Sequence, residues 1–320
     1  ASTNRYVSTT ATGAGNGQSI GSPWTLSQAG SATAGMTVWI KAGDYGNATL
    51  NPSNSGSSGS PIKFIGYTTT IGDDPDVGWV YPSNINPKPS IMPFLDGTGS
   101  NHGITIGGNY IIFRNLWIDG YNDGIRGGSS SYIMIDNVIT ANAGGNSDAN
   151  ISFENDGANN VRIINSVGYN GGTQNYQVYG SFNLIDNCQV IAGTTGNDYF
   201  IVARGNNSIF RNCYVERFVG HSGHGLCLKS VGVQTEYNLW ENIEVGGIKS
   251  SMEARHDEVQ HNVWRNIYVW ENGYGGAQGT GGIHFLNGAS YNIFDNIRVD
   301  GTTAFGVRTG ASSEDPTATS

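Results

Sequence analysis

The chain is short of charge, and shorter still of positive charge. Only 13% of its 320 residues are charged, with 16 basic against 25 acidic residues and a formal net charge of −9. That balance argues against duplex nucleic acid as a general partner. Seven of the basic residues nevertheless fall between Arg204 and Arg265, so a local basic patch remains open. Three cysteines are too few for a disulfide framework. No apolar run reaches the length of a membrane span. Glycine is plentiful, at 48 residues, but without a three-residue period, which excludes collagen. The chain opens on neither an initiator Met nor a signal-peptide pattern, and it reads as processed or trimmed.

What is present is a repeat. Asn115, Asn137, Asn165, Asn187, Asn212, Asn242, Asn266 and Asn296 recur at gaps of 22, 28, 22, 25, 30, 24 and 30 residues. Each sits in a short apolar phrase, such as IIFRNLWI, SIFRNCYV or NVWRNIYV, that alternates with period two rather than 3.6. One strand phrase per repeat of this length is a solenoid signature. Stacked coils would bring the asparagines into a column whose amides bond along the stack. The fold class expected is all-β: a right-handed parallel β-helix of about 8–10 coils. Its division is a cap with first coils and an irregular, proline-rich insertion over 1–100, coils over 101–310 and a tail over 311–320. In the cap, Ser22-Pro23-Trp24-Thr25-Leu26 predicts a short helix with Ser22 as N-cap and Pro23 at its first position.

A second strand ladder precedes the asparagine phrases, including ANISFEN, YQVYG, YFIVARG, HGLCLKS, SMEARHD and GIHFLN. Alternation points Ile151, Phe153, Phe200, Val202, Leu226 and Leu228 inward. It points Ser152, Glu154, Gln177, Tyr179, Cys227 and Lys229 outward, with Glu253, Arg255 and His284. Coils stack at about 4.8 Å, so Lys229 and Arg255, 26 residues apart, become neighbours on an exposed strip.

That strip carries chemistry. A neighbouring cation and partial burial both disfavour charged lysine, which turns Lys229 toward a base. Arg255 offers a planar fork for a carboxylate. The set suits elimination from a uronic acid: Arg255 neutralises the carboxylate, Lys229 takes the C5 proton, and Tyr179 or His256 protonates the leaving oxygen. Glu154, Gln177, Arg204, His224, Glu253 and His284 are the candidate substrate-binding residues. The bland alternative is a ladder of solvated, mutually neutralising charges. Other motifs weigh less. His221 and His224 form H-x-x-H, with His256, Asp257 and His261 nearby, but zinc wants three or four converging ligands. Cys227 beside Lys229 could be a thiolate, although no nucleophile motif surrounds it. Hydrolysis of a glycoside needs two carboxyls at a defined separation, and Glu253 has only the distant Glu154. Trp117, Tyr214, Tyr268 and Trp270 alternate outward after the asparagines and could stack on sugar rings.

HGLCLKS, followed one coil later by EARHDEVQHNVWRN, resembles the lysine and arginine-histidine strands of the chondroitinase B and alginate lyase family, the sixth polysaccharide lyase family. The opening MTVWIKAGDY and SGSPIKFIGY are similar too. The resemblance implies Lys229 as the base-like lysine, Arg255 as its partner and His256 as the adjoining histidine. It also implies two calcium-binding glutamates, and this chain has Ser222 and His224 in their places. No metal or other cofactor is therefore expected, since calcium wants several oxygen ligands. Asp257 stands where that family has glycine. Phage-type β-helix proteins are similar as well. The leading expectation is a lyase acting on a uronate-containing polysaccharide, extracellular, secreted or virion-associated, with neither nucleic acid nor membrane as partner. The alternatives are a glycan-binding or structural β-helix of a virion or cell surface, for which a homotrimer is expected, and a glycoside hydrolase on the same fold.

Overall fold

The computed structural model describes residues 3–75, 88–144, 149–192, 199–217, 224–230, 232–248, 250–270, 281–301 and 305–310. Their strands form a sixteen-stranded sheet, a nine-stranded sheet and a two-stranded sheet, and every pairing between named strands is parallel. This is a parallel β-solenoid of about nine turns. Strand pairing starts at Asn4–Val7, which aligns with Thr37–Lys41 and then Ile62–Tyr67, so the first hundred residues already supply coils.

The eight repeat asparagines explain how the coils turn. All eight have a left-handed backbone, with φ between 50° and 59°. Asparagine tolerates this region better than other side-chain-bearing residues because its short amide bonds locally. Asn115 donates to the Gly66 carbonyl at 3.2 Å, and Asn137 donates to Asn115 at 2.8 Å. The chain of amides continues through Asn187 to Asn165, Asn266 to Asn242 and Asn296 to Asn266. Asp136 and Asp186 take over as acceptors for Asn165 and Asn212. A second, buried ladder escapes the sequence pattern. Asn183, Asn238 and Asn262 accept backbone N–H groups of the preceding coil at 2.8–2.9 Å.

Inside the coils one apolar core runs from Val7 to Ile283. Like residues stack from coil to coil: Phe64 on Phe113, then Phe210, Trp240, Trp264 and Phe294 with ring centroids 4.1, 4.9 and 5.8 Å apart. Cys188 and Cys213 sit in it as buried thiols, as the pattern implies. The helix of the cap is one turn, Leu26–Ala29, and its N-cap is Thr25 rather than Ser22, with Gln28 completing a capping box. Trp117 is not an exposed platform. It is 1% exposed, packed with Met92, Phe94, Ile139 and Val167, because Pro93–Asp96 pairs beside it in the same sheet and brings Phe94 and Met92 against it. The 311–320 tail, His221 and Ser222 lie outside the described residues.

Candidate active site

The nine-stranded sheet holds the candidate residues, and its register decides which meet. Five of its strands concern the site: Gln174–Tyr179, Tyr199–Arg204, His224–Lys229, Ser250–Arg255 and Gly281–Leu286. One outward column reads Gln177, Val202, Cys227, Glu253 and His284. Two residues along, Tyr179 aligns with Arg204, and Lys229 with Arg255. Three residues the other way, Tyr199 aligns with His224. Val202 is therefore on the outer face, against the expectation from its apolar run. Ile201 and Ala203 take the inner positions.

The centre of this strip is covered rather than solvated. Glu253 and His284 are 1% exposed and Arg255 7%. His224 Nδ1 lies 2.7 Å from one Glu253 carboxylate oxygen, and Arg255 Nη1 3.6 Å from the other. Burial pushes the Glu253 carboxyl up, but the His224 hydrogen bond and the charges of His224, Arg255 and His284 outweigh it and bring it down to about 2. Cys227 is fully buried against Tyr199 and Val202. Burial and the neighbouring Glu253 charge hold its thiol well above the ordinary range, against the opposing pull of Lys229 and Arg255. A thiolate nucleophile is thus disfavoured.

The accessible edge consists of Tyr179, Arg204 and Lys229, all half-buried. Lys229 Nζ donates to the Tyr199 hydroxyl at 3.0 Å, and the Tyr199 ring lies against His224 at 5.3 Å between centroids. Tyr199 was not legible as a site residue. The Arg204 guanidinium stacks 4.3 Å from the Tyr179 ring centroid and reaches Asp156 at 3.6 Å, so Tyr179 supports an arginine rather than facing Lys229. His256 opens the turn after its strand, with φ 82°. Gln177 accepts from the Ser152 hydroxyl at 3.1 Å. Glu154 belongs to another group: it pairs with Arg126 at 2.6 Å, which also contacts His102 at 3.0 Å, and His102 pairs with Asp123. The donor set around Glu253 does not fit calcium, because its carboxylate oxygens face nitrogens of His224 and Arg255 rather than further oxygen ligands.

Neither a family model nor a curated protein matches the sequence. Solved structures do match. Pectate lyase Pel9A is similar over 94% of this chain and 78% of its own, at 15% identity and a TM-score of 0.59. An alginate lyase from Paenibacillus sp. strain FPU-7 is similar over 90% of this chain and 95% of its own, at 13% identity and a TM-score of 0.50. The likeness is one of fold. The chain shares the parallel β-solenoid of these polysaccharide lyases, and its chemistry has to be argued from its own residues.

Proposed function

We propose that the protein is a polysaccharide lyase-like enzyme that cleaves a uronate-containing glycan by β-elimination. The observation that carries the reading is the 3.0 Å contact between Lys229, beside Arg204 at the accessible edge of the strip, and Tyr199, which is 7% exposed. Arg204, steered by Tyr179, pairs with the sugar carboxylate in a planar fork and withdraws charge from C5. Lys229 Nζ takes the C5 proton. The electrons of that bond form the C4–C5 double bond, and the bond from C4 to the bridging oxygen breaks. Tyr199 gives its phenolic proton to that oxygen, and the proton on Lys229 then passes to the tyrosinate across their contact, restoring both groups. Arg255, tied to Glu253, holds positive charge beside Lys229 as a positioning residue. Tyr199 thereby replaces Tyr179 and His256 as the acid.

A second reading has its own support. The burial of Glu253, Arg255 and His284 suits a structural charge cluster beneath a glycan-binding surface that does not cut. A panel of alginate, pectate, chondroitin, dermatan, hyaluronan and bacterial exopolysaccharides separates the two, following ultraviolet absorbance of the unsaturated product together with reducing ends. Both should rise, and Lys229→Ala should abolish both. Reducing ends without absorbance would mean hydrolysis. Binding with neither signal would leave the non-cutting surface.

A further inference from the structure

The face of the sixteen-stranded sheet just ahead of the asparagine ladder carries an apolar stripe that the proposed chemistry does not use. Eight coils contribute one outward residue each to a column that begins Ile112, Met134, Arg162, Leu184. It continues through Ile209, Leu239, Val263 and Ile293. Seven of these eight are aliphatic, and Ile209 and Ile293 are 37% and 57% exposed. Two residues earlier on each coil stands a second exposed column, rich in rings. Tyr132, Phe182, Tyr237 and Tyr291 are 48–73% exposed there, and Tyr110 stacks on Tyr132 at 4.4 Å. With coils about 4.8 Å apart, the stripe is roughly 35 Å long, and two columns with their side chains cover about 600 Å². Exposed apolar patches of that size mark interaction surfaces.

The bordering column shows what fits. Two residues after the aliphatic position, the eight coils read Arg114, Asp136, Ile164, Asp186, then Arg211, Glu241, Arg265, Asp295. Within the chain these charges already pair along the column, Arg114 with Asp136 and with Asp74, Arg211 with Asp186, and Arg265 with Glu241 and Asp295. Read backwards, the series also opposes itself, so a second copy would extend pairs that exist. The first coil against the eighth sets Arg114 opposite Asp295. The second against the seventh sets Asp136 opposite Arg265. The fourth against the fifth sets Asp186 opposite Arg211. The remaining pair matches diagonally, because the single charge in the aliphatic column, Arg162, faces the coil of Glu241, while Ile164 faces the coil of Leu239. A twofold axis lying across the stripe, parallel to the strands, generates this arrangement, in which each residue and its counterpart exchange places. In-register parallel stacking of the same columns would set arginine against arginine and aspartate against aspartate.

We infer that this face binds a second copy of the chain, antiparallel, as an isologous dimer. The inference does not depend on the lyase reading, since the stripe and the candidate site lie on different sheets. The area, about 1,200 Å² over both copies, is at the lower edge of specific interfaces, so dimerisation should depend on concentration. It also replaces the trimer expected of a tailspike-like protein. Sedimentation velocity over a concentration series of the whole chain should show a monomer–dimer equilibrium, and Ile209→Asp, with an unchanged circular dichroism spectrum, should shift it at least tenfold toward monomer. Ile112→Cys and Ile293→Cys variants then test the register with a short thiol-reactive cross-linker. The native cysteines are buried and leave this readout clear. Mixed together, the two variants should cross-link to each other, and neither to itself. A monomer at every concentration, a trimer, or cross-links of each variant to itself would overturn the proposal.

Discussion

Glu253 keeps its charge in a place where desolvation alone would remove it. Its folded value of about 2 lies below the ordinary 4.5, so its ionised form stabilises the fold fully above pH 4.5, and that contribution is lost as pH falls toward 2. The shift corresponds to about 3 kcal/mol. Glu253→Gln should therefore cost roughly that much at pH 7, with Arg255 left beside a neutral amide. The penalty should shrink toward zero near pH 2, as followed by denaturant unfolding at several pH values. A pH-independent penalty would mean that the shape of the carboxyl, rather than its charge, is what matters. At the active edge, Tyr199→Phe removes the proposed proton donor and should lower kcat by about 10²–10⁴. Tyr179→Phe keeps a ring beneath Arg204 and should leave kcat near the parent value. Equal losses from the two changes would return Tyr179 to the role first expected of it.

At the scale of the strand and turn, the asparagine ladder separates backbone strain from hydrogen bonding. Asn187 has φ 52° and donates to Asn165 at 2.8 Å. Asn187→Gly keeps the left-handed backbone available and should cost about 1 kcal/mol for the lost bond. Asn187→Ala adds the left-handed penalty and should cost about 2–3 kcal/mol; thermal unfolding of both variants measures the difference. Gly246 is a different case, since a Cβ there would fall 1.9 Å from the Trp270 indole on the next coil. Gly246→Ala should displace that ring, shift tryptophan fluorescence and destabilise by about 1–3 kcal/mol. Legibility follows the same division. The Asn115–Asn296 column was readable because one residue type repeats eight times at one turn. The buried ladder of Asn183, Asn238 and Asn262 was not, because Ser208 interrupts it on the coil between the first two. Lys229 and Arg255 were brought together correctly by counting coils. Tyr199 was missed because Phe200-Ile201-Val202 is apolar throughout, and period-two alternation cannot choose a face there. Aligning Tyr199 with His224, 25 residues on, would have found it. The burial of Trp117 could not be read, since its contact with Met92 comes from outside the repeating phrases and leaves no periodic trace.

For the whole molecule, a solenoid is a one-dimensional object in which each coil is stabilised chiefly by its two neighbours. The core is continuous, but its seal is not uniform along the axis. Ile133, Ile135 and Val138 in an early coil are at most 1% exposed, whereas Val307, which continues the inward column of Ile283 in the last described strand, is 58% exposed. The Phe210–Trp240–Trp264–Phe294 stack runs into that region, and Phe294 at its end is only partly buried. Opening of a coil near this end breaks one set of inter-coil hydrogen bonds, whereas opening of an interior coil breaks two. Amide exchange should therefore be graded: fastest in Phe305–Gly310 and Ile293–Asp300, slower in Val263–Trp270, and slowest in Ile133–Ala141 and Ile111–Asp119. Exchange followed by mass spectrometry at pH 7 measures this directly, and dimerisation along the apolar stripe should flatten the gradient as concentration rises, because Ile293 would then pack near Ile112 of the second copy. One common exchange rate at low concentration would show instead that the coils open only together, as a single cooperative unit.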